Sequence, residues 1–186
     1  MEEKLESSSA FAEIIIKYFN PFSVIDIGCG CGIYIRAFND MGLIDVVGYD
    51  GSKSAIKKSV IPGRIKLHDL RNPLILDRRY DLCTCIEVAE HIELEYSNLL
   101  IETLTGLSDN IVFTAAPPGQ GGTHHINEQP YSFWIELFHK RWYSYEETLT
   151  RDIKREMELR GVIWWIPRNL MVFKNLQYHT KTLYTI

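Results

Sequence analysis

The chain has 186 residues, 46% of them hydrophobic and 12% aromatic, and its 20 basic and 24 acidic side chains leave a net charge of −4. That length suits one domain with a core that needs no disulfide or metal staple. The composition excludes collagen-like, coiled-coil and disordered chains, and the charge disfavours general adhesion to DNA or anionic membrane.

The opening MEEKLESSSA is acidic and polar, unlike a secretion signal. Phe11 to Phe19 reads as a helix stopped by Asn20-Pro21. Phe22 to Ile27 is a β-rich run that ends in the cluster Gly28-Cys29-Gly30-Cys31-Gly32, and Ile33 to Met41 has helical spacing. Ile44 to Tyr49 is a second strand closed by Asp50-Gly51, followed by a short basic helix from Ser52 to Ser59. Arg64 to Leu67 and Tyr80 to Val88 are the third and fourth strands, a helix covers Glu95 to Leu107, and Asn110 to Ala116 is the fifth strand. Beyond it, Tyr131 to His139 and Glu146 to Arg160 read as helices. Trp142 to Tyr145 is strand-like, Trp164-Trp165 sits in a loop, and Leu170 to Lys174 is a last strand at or near an edge.

Strands alternating with helices, each strand a nearly continuous apolar run, predict a parallel α/β sheet covered on both faces. No apolar run approaches the roughly 18 residues of a spanning helix, so no membrane insertion is expected. The four cysteines form two C-x-C pairs, Cys29/Cys31 and Cys83/Cys85, rather than zinc-type C-x-x-C motifs. They read as small side chains in a reducing, cytoplasmic setting, with Cys83 and Cys85 buried on one face of their strand.

Ligands of open α/β sheets bind beyond the carboxyl ends of the strands. The first strand leads into D-x-G-x-G-x-G, from Asp26 to Gly32. The third glycine of a dinucleotide fingerprint is missing, because position 33 is Ile, which argues against a nicotinamide-dependent oxidoreductase. A phosphate-cradling G-K-[ST] is also missing. Asp50 follows Gly32 by 18 residues, at a position where a carboxylate can accept both ribose hydroxyls.

With these residues in view, the chain resembles the class I S-adenosylmethionine (SAM) dependent methyltransferases. The resemblance rests on Val24-Ile25-Asp26-Ile27-Gly28-Cys29-Gly30-Cys31-Gly32, Gly48-Tyr49-Asp50, His68-Asp69-Leu70, Tyr80-Asp81-Leu82 and Glu87-Val88-Ala89-Glu90-His91-Ile92. It implies a Rossmann-like, doubly wound sheet of about seven strands, mostly parallel, with an antiparallel last strand and helices on both faces. The whole chain, 1–186, is expected to form one methyltransferase domain. Residues 22–116 would form its SAM-binding half, and 117–186 the substrate-side half and the end of the sheet. In the cofactor site, Asp26, Gly28, Cys29, Gly30 and Gly32 would surround the methionine part of SAM, and Asp50 with Gly51 the ribose. Asp69 and Leu70 would lie at the adenine, and Glu87 beside the cofactor on the substrate side.

The fifth strand runs into a Gly/Pro loop, Ala115 to Pro130, that carries His124 and His125 and reads as a wall of the acceptor pocket. Adjacent residues of an extended loop face opposite ways, so His125 with Asn127 is the expected inward pair. His125, or His124, is the candidate base, with Glu87 and Asn127 beside it. Tyr131, Phe133, Trp134 and Phe138 read as core, whereas Trp164 and Trp165 would close a pocket or a dimer contact.

The segment Glu87-x-x-Glu90-His91 with a later histidine is similar to the small-RNA 3′-terminal ribose methyltransferases, where two carboxylates and two histidines hold a divalent ion. The same E-x-x-E-H is common in metal-free methyltransferases of small molecules, so no metal is assigned. The expected activity is methyl transfer to a small-molecule or saccharide acceptor at oxygen, within a monomer or homodimer. The alternatives are a metal-assisted RNA-end methyltransferase and a SAM-binding protein without turnover. With so few residues left for a substrate domain, the acceptor site should be shallow, or completed by the N-terminal helix or a second copy.

Overall fold

The computed structural model describes residues 2–177, with side chains from Glu6 onward. The expected domain limits of 1–186 therefore extend beyond the described residues. In chain order the elements are α1 (Glu2–Phe19), β1 (Ser23–Ile27), α2 (Ile33–Asp40), β2 (Asp45–Asp50), α3 (Lys53–Lys57), β3 (Ile65–Leu67) and β4 (Leu82–Ile86). Then follow α4 (Ser97–Leu107), β5 (Asn110–Thr114), α5 (Tyr131–His139), β6 (Tyr143–Tyr145), α6 (Glu147–Leu159), α7 (Trp165–Asn169) and β7 (Leu170–Asn175). No helix among the described residues is long and apolar enough to cross a membrane.

The strands form one seven-stranded sheet in the order β3-β2-β1-β4-β5-β7-β6. The first five pair in parallel, and β7 runs antiparallel to both neighbours. The last strand is thus inserted one place in from the edge, and β6 takes the edge itself. After β3 the chain returns to the other side of β1, so the strand order reverses between β1 and β4. Loops diverge at such a point and leave a crevice at the carboxyl ends of the strands.

Side chains alternate along each strand, which divides the core into two layers. Ile25, Cys83, Cys85, Ile111, Phe113 and Phe173 face α4 and α5. Val24, Leu82, Ile86, Val112 and Val172 face α1, α2 and α6. Cys83 and Cys85 lie two apart, fully buried on the same face, as their spacing predicts. In α5, Trp134 and Phe138 are completely buried, and Phe138 stacks on Phe173 with ring centroids 3.8 Å apart.

Two helices differ from the sequence reading. α1 begins at Glu2 rather than Phe11, because its first turns are polar while Phe11, Ile14 and Ile15 bury the helix against α2 and α6. α7 occupies the segment expected to be a loop. Pro167 lies in its first turn, where a missing N–H costs no intrahelical bond.

Candidate active site

The glycine loop is built by its backbone. Gly28 and Cys29 both donate their N–H groups to Tyr49 O, at 2.8 and 3.2 Å, which ties the loop to the end of β2. Gly28 lies at φ 75, and a Cβ added there would meet the Val88 methyls at 2.3 and 2.7 Å. Gly28→Ala should therefore combine left-handed strain with overpacking and cost about 2–4 kcal/mol, visible as a fall in Tm.

Asp50 closes the loop from the other side. Its Oδ2 accepts the Gly30 N–H at 2.8 Å and its Oδ1 the Ser52 N–H at 2.7 Å. Gly28, Asp50, Gly51, Asp69, Leu70 and Glu87 all line one cleft of about 400 Å³. Asp69 is also clamped by Arg71, whose guanidinium bonds both carboxylate oxygens at 2.9 and 2.8 Å and whose N–H adds a third bond. Those bonds lower its pKa to about 2.

Asp26 and Cys29 lie behind this cleft. Asp26 is buried beneath the loop and accepts a bond from the Thr84 hydroxyl at 2.7 Å, while its Oδ2 has no partner among the described residues. Burial raises its carboxyl to about 7. Cys29 turns its thiol inward against Gly48, so its share in the cleft is backbone.

Three cavities meet at Glu87. Besides the cleft, a pocket of about 160 Å³ is lined by Ser7 of α1, Tyr34, Trp165 and Ile166. A more open one of about 560 Å³ lies between Glu87, His91 and His125 and the wall formed by Gln120, Thr123, Trp164 and Trp165. The indoles border this cavity, with Trp164 58% exposed.

Around the junction stand Glu87, Glu90, His91 and His125. Single ligand atoms of Glu90, His91 and His125 lie within 4.8 Å of one another. Glu90 is fully buried: its Oε1 accepts the Ala116 N–H at 3.3 Å, and its protonated carboxyl pairs with that of Glu87. Burial first, and then the charge of neighbouring Glu87, raise its carboxyl to about 8.

Both imidazoles are oriented through Nδ1. That of His91 faces the His124 carbonyl at 3.1 Å, and that of His125 faces a Glu128 oxygen at 3.0 Å. Each acceptor favours the Nδ1–H tautomer and leaves an Nε2 lone pair, as is usual for metal-ligating histidines. Glu128 also accepts the Gly119 and Gly121 N–H groups, which together with the His125 bond lower its pKa. A Cβ at Gly122 would stand 2.3 Å from His125 Nε2, so the loop approaches the imidazole edge closely. Two adjoining carboxyl groups, one of them buried, beside two oriented imidazoles fit a divalent ion of the manganese, iron or zinc type.

The loop places its other expected members elsewhere. His124 is exposed at φ 62, in a turn, and contributes its carbonyl rather than its ring. Asn127 is buried, donating to Ser97 Oγ at 3.1 Å and accepting from Gln129. It does not line the acceptor-side cavity. The loop is bent rather than extended, so strand-like alternation does not hold. Asn169 emerges as a site neighbour that the sequence did not disclose, since its amide reaches Glu87.

Residues 3–119 match the family model described as a methyltransferase domain, which spans more than half of the chain. The chain belongs to the class I SAM-dependent methyltransferases. No curated protein matches it. Among solved structures it is similar to DesVI from Streptomyces venezuelae, at 12% identity and a TM-score of 0.70, covering 91% of this chain and 92% of that one. The plantazolicin methyltransferase BpumL in complex with SAH is 17% identical, with a TM-score of 0.65 and coverage of 94% and 86%. The methyltransferase domain of bacterial CtHen1-C is 18% identical, with a TM-score of 0.62 and coverage of 92% and 98%. At these identities the likeness is one of fold. The methyltransferase sheet, read with it, places the SAM-type glycine loop at the reversal of strand order.

Proposed function

We propose that this methyltransferase transfers a methyl group to a hydroxyl oxygen of a small-molecule or saccharide acceptor, assisted by a divalent ion on Glu87, Glu90, His91 and His125. The carrying observation is the cluster of Glu90, His91 and His125, with Glu87 lining both the cofactor cleft and the acceptor-side cavity beside it. SAM supplies an electrophilic methyl group and leaves as SAH, and a bound divalent ion would make an acceptor hydroxyl easier to deprotonate, its proton passing to solvent in the open acceptor-side cavity.

The chain's own contribution is alignment, the main requirement of an in-line displacement. Asp50 would hold the ribose of the cofactor and the glycine loop its methionine part. The fixed imidazoles and carboxylates hold the acceptor oxygen. Trp164 and Trp165 bound the space where the rest of the acceptor lies. In this reading His125 is a ligand rather than a free base, which replaces the expectation drawn from its sequence position. The unpaired cysteines accord with a cytoplasmic setting.

A second reading, methylation of an RNA 3′-terminal ribose, is favoured by the same two-carboxylate, two-histidine set. Against it, no Lys or Arg among the described residues lines the acceptor-side cavity to meet a phosphate, and Arg168 lies over the Trp164 ring. The test is methyl transfer from labelled SAM by metal-stripped enzyme, with Mn²⁺ restored or withheld. Saccharides, small hydroxylated molecules and a 3′-hydroxyl RNA oligonucleotide serve as acceptors. The expected result is transfer that depends on Mn²⁺ and yields an ether. Full activity in the stripped enzyme with chelator present would refute ion assistance, and preference for the oligonucleotide would select the second reading.

A further inference from the structure

Glu87 occupies a demanding position. Its backbone sits at φ 55, a strained region for a residue with a long side chain, and its carboxylate stands beside that of Glu90. Thr114 Oγ accepts the Glu87 N–H at 2.7 Å and secures the backbone. The carboxylate is secured from the far half of the chain. Asn169, the last residue of α7, is completely buried, and its Nδ2 lies 3.0 Å from Glu87 Oε1 and 3.3 Å from Oε2. The Tyr131 hydroxyl shares its one proton between the Arg168 carbonyl at 3.0 Å and Asn169 Oδ1 at 3.3 Å, which favours the amide orientation with Nδ2 toward Glu87.

We propose that Asn169 is a positioning residue for methyl transfer, aiming the Glu87 carboxylate at the junction of the cofactor and acceptor cavities. Being buried, it acts only through Glu87. The helix that carries it also places Trp165 against the acceptor-side cavity, so one five-residue element forms a wall and sets a ligand. A filler of the core would not need a donor shared between two carboxylate oxygens, nor a hydroxyl to fix which end of its amide faces them. This inference rests on the ion-assisted reading above.

Calorimetric titration of Mn²⁺ into the metal-stripped full chain tests it, with SAH titrated in parallel. Asn169→Leu keeps the side-chain volume and removes the donor. It should weaken Mn²⁺ binding about 10–100-fold, as loss of an outer partner of a metal ligand commonly does. SAH affinity should change less than about threefold. Tyr131→Phe keeps the amide but frees its orientation, and a smaller loss in the same direction is expected. If Asn169→Leu does not fold, Asn169→Ser, whose hydroxyl is too short to bridge to Glu87, carries the same tenfold expectation. Wild-type binding of Mn²⁺ matched by the folded variants overturns the role of Asn169 alone. A wild-type chain that takes up no Mn²⁺ overturns the ion-assisted reading and this inference with it.

Discussion

Asp50→Ala should weaken SAH binding at least about 100-fold. Asp50 ends β2 and uses one face of each carboxylate oxygen on the N–H groups of Gly30 and Ser52. Asp50 lines the cleft, and each oxygen keeps a further lone pair to which a ribose diol can donate. Hydrogen bonds to a charged group contribute about 1.5–3 kcal/mol each, so losing two gives about 3–6 kcal/mol, with roughly 1.4 kcal/mol per tenfold in affinity. Releasing Gly30 would add to the loss by loosening the loop. Asp50→Asn separates charge from shape: an amide can accept from Gly30 or from Ser52, but it points an N–H at the other. It should therefore fall well short of wild type while keeping the same volume. Calorimetry with SAH decides the point, and an unchanged dissociation constant for Asp50→Ala would place the ribose elsewhere.

Glu90→Gln should make the ion-free protein more stable at pH 8 and at the same time deprive it of ion-dependent stabilisation. In the unfolded chain the carboxyl ionises near 4.5, whereas burial and neighbouring Glu87 hold the folded group protonated up to about 8. Between those values the unfolded state has released its proton and the folded state has not. Stability therefore falls as pH rises through that window, by up to about 1.4 kcal/mol per pH unit. Glutamine cannot ionise, so the slope should flatten. Mn²⁺ should narrow the gap at pH 8 and reverse the order nearer pH 5, because binding stabilises wild type by about 2.7 kcal/mol at a hundred times its dissociation constant. Thermal melts of both proteins from pH 5 to 8.5, with and without Mn²⁺, provide the measurement. Parallel pH slopes, or a variant that keeps the full ion-induced shift, would contradict this account of the buried carboxylate.

The parts of the site that could be read from sequence are those whose chemistry is local. The glycines, Asp50 and Asp69 each follow a strand, and the reason for their residue type lies within a few positions. Glu87, Glu90 and His91 are similarly close in sequence. What they meet is not. His125 joins them through a bent loop whose Ile126 and Asn127 N–H groups both donate to the Glu90 carbonyl, and no period in the sequence announces that attachment. Asn127 shows the same limit: a rule of alternation aimed it at the pocket, but the turn at His124 sends it into the interior. Asn169 was legible only as the residue before an apolar strand, because its partner lies 82 positions earlier. α7 escaped notice since a proline and two indoles suggest a loop, yet a helix tolerates proline in its first turn.

The insertion of β7 between β5 and β6 sets chain order against spatial order. The glycine loop and Asp50 belong to the first two strands, far from β7 in chain order. The amide that holds Glu87 stands immediately before that strand and can take its place only when β7 slots into the sheet. The Glu87 carboxylate at the cofactor cleft is thus held by the segment that completes the sheet, which ties the geometry of the site to the last strand in chain order.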